Sequence, residues 1–174
     1  MKGSAGMIKY VSYAVTFAEV PDEVCLTIQI SNCPHRCEGC HSAYLQKDIG
    51  DDLERDLPDL LEKYQGRVTC VCFMGTGKDM AALAHCVSSA KSAGFRTALY
   101  SGYTDDEWLK IGFEYAKDDN LLKLFANLDY LKTGPYIPHK GGLDSKITNQ
   151  RMYRMTLEES EDITERFWQK GIKE

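Results

Sequence analysis

The stretch Val68-Thr69-Cys70-Val71-Cys72-Phe73 constrains the fold more than any other part of the chain. It is almost wholly apolar and rich in β-branched and aromatic residues, and it shows no polar face. Strands of that kind are buried on both sides, as in parallel sheets. Gly75 and Gly77 follow it, and then a helical stripe of Met80, Leu83, Val87 and Ala90. A buried strand leading through glycines into an amphipathic helix reads as half of a βαβ unit.

The rest of the chain repeats this order. Val24, Leu26, Ile28 and Ile30 alternate along one face of a strand, and an extended segment at Lys9–Phe17 precedes it. Pro58 fits the first turn of a helix with the stripe Leu57, Leu60, Leu61 and Tyr64, ended by Gly66. A helix from about Met80 to Ala93 closes on Gly94, and Phe95–Tyr100 is the next strand. Thr104-Asp105-Asp106-Glu107 is a capping box that predicts a helix with Trp108, Ile111 and Tyr115 facing inward. Leu128–Lys132 reads as a strand and Arg151–Met155 as an extended segment. A second capping box, Thr156-Leu157-Glu158-Glu159, predicts a C-terminal helix to about Gln169.

No linker, repeat or low-complexity tract divides the chain. Residues 1–174 therefore read as one α/β domain, with 1–6 outside the ordered fold. The expected architecture is a parallel sheet with helices outside. The chain is too short for a closed eight-unit barrel of about 250 residues, so an incomplete barrel or a doubly wound sheet fits. In either, the loops after the strand C-termini form the working face.

Apolar residues make up 43% and charged residues 27%, which argues against disorder. The net charge of −5 gives no basic footprint for nucleic acid or a membrane surface, although Lys132, Lys140, Lys146, Arg151 and Arg154 gather late in the chain. No apolar run approaches the length of a membrane span, and no signal-peptide pattern opens the chain. Seven cysteines, an odd number, then suggest a reduced cytoplasmic protein with metal or redox chemistry, not a disulfide scaffold.

Three of those cysteines lie in Cys33-Pro34-His35-Arg36-Cys37-Glu38-Gly39-Cys40-His41, directly after a strand. Thiolates select zinc, copper(I) or iron–sulfur clusters. The spacing C-x3-C-x2-C has no second cysteine pair to close a zinc tetrahedron, but His41 or His35 would complete a Cys3His site. A four-iron cluster on three thiolates would instead leave one iron open, and open positions mark catalysis. Cys25, Cys70, Cys72 and Cys86 fall inside strands or on a helix stripe and read as core. Trp108, Tyr115, Phe167 and Trp168 do likewise, His85 reads as a surface or packing residue, and His139 lies in the long loop.

The cysteine spacing resembles that of the radical S-adenosylmethionine (SAM) superfamily. Gly39-Cys40-His41, Tyr100-Ser101-Gly102-Tyr103, Lys132-Thr133-Gly134-Pro135-Tyr136 and Thr148-Asn149-Gln150-Arg151 are similar, in order and spacing, to the activating proteins of anaerobic ribonucleoside-triphosphate reductases. Gly39, where most of the superfamily has an aromatic residue, matches that subfamily. Gly75-Thr76-Gly77 stands where the family has two adjacent glycines and an acid. The resemblance implies a partial, laterally open radical SAM barrel. It implies Cys33, Cys37 and Cys40 as ligands of a [4Fe–4S] cluster, and SAM held near Gly39, Cys40, His41, Gly75, Thr76, Gly77, Ser101 and Lys132. It further implies an electron donor such as flavodoxin and, as protein substrate, the reductase on which a glycyl radical is made. Another glycyl-radical activase, a deazapurine synthase and a Cys3His zinc interaction module are the alternatives.

Overall fold

In chain order the elements are β1 (Lys9–Thr16), β2 (Cys25–Ile30), β3 (Asp51–Asp52), α1 (Leu53–Tyr64), β4 (Cys70–Met74), α2 (Met80–Ser92), β5 (Arg96–Tyr100), α3 (Asp105–Glu114), α4 (Asp119–Asn127), β6 (Tyr130–Thr133), β7 (Arg151–Met155) and β8 (Ser160–Asp162). The computed structural model describes residues 7–114, 119–156 and 158–171. Residues 1–6 and Tyr115, both named in the sequence reading, lie outside the described residues. No helix among the described residues is long and apolar enough to cross a membrane.

One eight-stranded sheet runs in the order β3-β1-β2-β4-β5-β6-β7-β8. Its centre is parallel: β2 pairs with β4, β4 with β5 and β5 with β6, all in one direction. The flanks are antiparallel, with β1 on β2 and β7 on β6. A wholly parallel sheet is thus too simple a description. The parallel strands also follow one another in spatial order, without the reversal that defines a doubly wound sheet.

The two sheet faces are covered differently. All four helices pack on one face, where Leu26, Ile28, Ile30, Val71, Phe73 and Leu99 meet Leu57, Leu83, Trp108 and Leu124. Fully burying such an aliphatic or aromatic side chain contributes roughly 1.5–3 kcal/mol. Cys25, Cys70, Cys72, Ala98, Tyr130 and Met152 face the other way, under Val20, Leu143, Ile163 and Phe167. Connections and the C-terminus therefore cover the second face, which is why β4 shows no polar side.

Three expectations about elements are corrected. α1 begins at Leu53, with the Asp52 carboxylate accepting from the amides of Glu54 (3.0 Å) and Arg55 (3.3 Å), so Pro58 lies inside the helix and not in its first turn. Its missing N–H removes one intrahelical bond, while buried Leu53, Leu57, Leu60 and Leu61 hold the helix to the sheet. α4 was not anticipated, although Leu121 and Leu124 are its buried residues. The Thr156 capping box opens no helix. Thr156 Oγ1 accepts from the Glu159 amide (3.0 Å) in a turn between β7 and β8, and a 3₁₀ helix follows at Thr164–Gly171. The same hydroxyl-to-amide bond serves a turn or a helix start, and the free edge of β7 decides for the turn. The Thr104 box does open α3, with Thr104 and Glu107 bonded reciprocally (Glu107 amide to Thr104 Oγ1 3.3 Å, Thr104 amide to Glu107 Oε2 2.7 Å).

Candidate active site

The cysteine loop leaves the end of β2 and returns beside its own start. The Asn32 amide donates to Lys47 O (3.0 Å) and the Cys33 amide to Leu45 O (2.9 Å), with Leu45 buried beneath. Two positive-φ residues, Asn32 (60°) and Gly39 (67°), make the sharp turns. Inside this closed loop Cys33, Cys37 and Cys40 come to line one cavity of about 190 Å³.

The cavity floor is a single row of the sheet. Gln29, Met74, Tyr100 and Lys132 are register neighbours across β2, β4, β5 and β6, and all four line it. Gly75, Ser101, Gly102 and Gly134, each just beyond a strand end, form the walls with Tyr136 and Gln150. The site thus lies at the C-terminal ends of the parallel strands, where α/β proteins place their ligands.

Lys132 is the cavity's cation. It is only 7% exposed, and its Nζ donates to Gly134 O (2.6 Å). Burial pushes its pKa down to about 8, opposed by the charges of Cys37 and Cys40. Burial pushes the Cys33 thiol up, a backbone hydrogen bond at His35 opposes this, and Cys37 and Cys40 add to it. Metal binding there must therefore displace a firmly held proton.

Two of the quoted stretches meet at the cavity rim. Gly134 takes φ +84° with its α-carbon so close to Asn149 O that a Cβ would sit 2.8 Å from it. Asn149 Nδ2 donates to Pro135 O (2.9 Å), and Thr148 Oγ1 accepts from the Gln150 amide (3.1 Å). Gly134-Pro135-Tyr136 and Thr148-Asn149-Gln150 are therefore one packed unit, separated by fourteen residues in sequence.

Not every expected site residue reaches the cavity. Gly39 packs against Pro138, and the exposed His41 lies against the Tyr136 ring at 5.4 Å. Thr76 is 1% exposed and donates to Gly77 O (3.1 Å), while Gly77 lines a separate cleft with Lys78, Asp79 and Met80. Of that segment only Gly75 lines the cavity. Ser101 is present but engaged, accepting from Trp108 Nε1 (2.6 Å) and donating to Lys132 O (2.9 Å). Arg151 and Arg154 turn to Asp162 and Glu161 on β8, so the late basic residues form no single patch. Cys25, Cys70, Cys72 and Cys86 are buried as expected, and exposed His85 bonds Glu54 (2.9 Å).

The sequence reading missed Gln29 and Met74, and weighed His35 only as a zinc ligand. His35 packs edge-on against Tyr103 (4.4 Å) and over Gly102, where a Cβ would strike the ring at 2.3 Å. Alternation along the strands puts Gln29, the penultimate residue of β2, and Met74, the last of β4, on the face opposite the helices.

Among the described residues, no group of three or more His, Cys, Asp or Glu is drawn together closely enough to hold a single metal ion. His35 and His41 both lie against tyrosine rings, and His35 Nε2 is buried without a hydrogen-bond partner. The thiols share one cavity without meeting at a point. The cavity, at about 190 Å³, is smaller than the roughly 300–1,000 Å³ of typical ligand pockets. No protein-family model, curated protein or solved structure matches the chain.

Proposed function

We propose that this protein is a radical SAM enzyme that installs a glycyl radical on an anaerobic ribonucleoside-triphosphate reductase, with its sheet curved as a partial, laterally open barrel. The observation that carries this reading is the meeting of Cys33, Cys37, Cys40 and buried Lys132 in one cavity at the ends of β2, β4, β5 and β6. The sequential order of the parallel strands, with α1 to α4 on one face, supports the barrel.

A [4Fe–4S] cluster on the three thiolates would supply one electron to SAM, whose cleavage yields methionine and the 5′-deoxyadenosyl radical that takes hydrogen from the target glycine. The protein's own part is binding, orientation and exclusion of water. Cys33, Cys37 and Cys40 hold the cluster once deprotonated. The Lys132 ammonium offsets negative charge on the thiolates and on the substrate carboxylate, in a site where low polarity strengthens the attraction. Its bond to Gly134 O fixes that charge at the rim. Gly75 and Gly102 keep the walls low enough for close backbone approach, and the Gly134–Gln150 unit closes the far side. Electrons would come from a flavodoxin-like donor.

Anaerobic reconstitution with iron and sulfide tests the reading. About four irons per chain are expected, with a paramagnetic spectrum that changes on SAM addition and a glycyl radical on added reductase. Cys37→Ala should lose both iron loading and SAM cleavage. A colourless protein with one zinc, or cleavage that survives Cys37→Ala, overturns the assignment.

A further inference from the structure

The floor of the thiol cavity has a charged end and a neutral polar end. Lys132 holds the first and Gln29 the second, and both line the cavity. The Gln29 carboxamide is anchored through its oxygen alone. Oε1 accepts from the Tyr44 hydroxyl (2.5 Å) and from Ser12 Oγ (2.9 Å). These two donors come from different segments. Ser12 is the register neighbour of Gln29 on β1. Tyr44 stands on the short 3₁₀ turn Ala43–Gln46, by which the cysteine loop closes back on Cys33. An amide oxygen has two lone pairs, so the two hydroxyls fill it. Nε2 carries two N–H donors and has no hydrogen-bond partner among the described residues. It is also not sealed in, unlike the buried and unpartnered His35 Nε2.

We propose that Gln29 is a binding residue of this cavity, donating from Nε2 to an acceptor atom of the S-adenosyl ligand, and that Tyr44 and Ser12 position it. The inference rests on the reading of the cavity as a SAM site. A carboxamide is planar, so fixing Oε1 fixes the direction of both N–H donors. A side chain held in this way loses little further freedom on binding, which is the advantage of a preorganised site. The donor is neutral, so it adds a hydrogen bond without placing a second cation beside the thiols. Lys132 then selects for charge at one end of the floor, and Gln29 selects for an acceptor at the other. Because Tyr44 belongs to the turn that closes the cysteine loop, seating of that loop and presentation of the donor go together.

Equilibrium dialysis of SAM against the anaerobically reconstituted chain, with no reductant present so that SAM stays intact, tests this. Gln29→Met and Gln29→Glu should each raise the SAM dissociation constant about tenfold or more, the loss of one hydrogen bond. Iron content, the spectrum before SAM is added and the melting temperature should be retained. The glutamate variant is the sharper of the two, because it keeps an oxygen for Tyr44 and Ser12 and lacks only the N–H donors. Tyr44→Phe/Ser12→Ala should weaken binding at least about threefold by freeing the amide. Adding Gln29→Met to that pair should bring binding to the level of Gln29→Met alone, since all three act through one group. A wild type that takes up no iron or binds no SAM removes the site reading and this inference with it. A wild type that does both, while Gln29→Glu binds SAM equally well, overturns this inference alone. So does loss of iron in either Gln29 variant, or a triple variant that binds more weakly than Gln29→Met.

Discussion

Lys132 is where the protein gives up stability for a charge. Its folded-state pKa of about 8 lies below the ordinary lysine value of about 10.4. Between those values the unfolded chain binds more protons than the folded one, so folding stability rises with pH across that window. Lys132→Met has no such term. The metal-free wild type should therefore gain on the order of 2 kcal/mol over Lys132→Met between pH 8 and pH 10. Urea midpoints at the two pH values measure it, and a difference that stays flat would mean that the ammonium is solvated. Below pH 8 the variant should be the more stable protein, since an apolar side chain replaces a buried charge.

At the scale of elements, the site depends on how strands hand over to helices. β4 ends at Met74, the chain crosses β2 at Gly75 with a Cβ position only 3.3 Å from Ile30 O, and α2 begins three residues after Gly77. The Asp79 carboxylate fixes that start by accepting from the amides of Ala81 (3.0 Å) and Ala82 (2.9 Å). Asp79→Ala should lower stability by about 1 kcal/mol, while Asp79→Ser should restore most of it. Thermal melts of the two variants separate a cap from a general charge effect. Helix α1 behaves in the same way at Asp52, and there the cap, together with the apolar stripe, outweighs a mid-helix proline.

The whole molecule has two cores, one on each face of the sheet. The one under the helices is large; the one around Cys25, Cys70 and Met152 is closed by the chain's last turns through Ile163 and Phe167. Phe167 is 8% exposed, and Phe167→Ala should therefore cost about 3–5 kcal/mol. Equilibrium denaturation measures this loss. A loss below about 1 kcal/mol would mean that the C-terminal turns are only draped over the sheet.

Patterns of period two and 3.6 reveal burial, and burial revealed the parallel strands β2, β4, β5 and β6, the helices α2 and α3, and the core cysteines. The thiol loop was equally plain, because Cys33, Cys37 and Cys40 are close in sequence and need no folding to be neighbours. Direction of pairing was not readable: β1 and β7 look like any strand until a partner sets them antiparallel. Nor was the fate of Thr156, whose hydroxyl caps either a helix or a turn until β8 finds β7. Lys132 became a buried site cation, and Gln29 and Met74 its floor, only through register between strands far apart in the chain. His41 and Thr76 lie outside the cavity's lining for the same reason. Local sequence decides what a segment can become and which groups are near along the chain, whereas contacts across tens of residues decide which of those groups share a cavity.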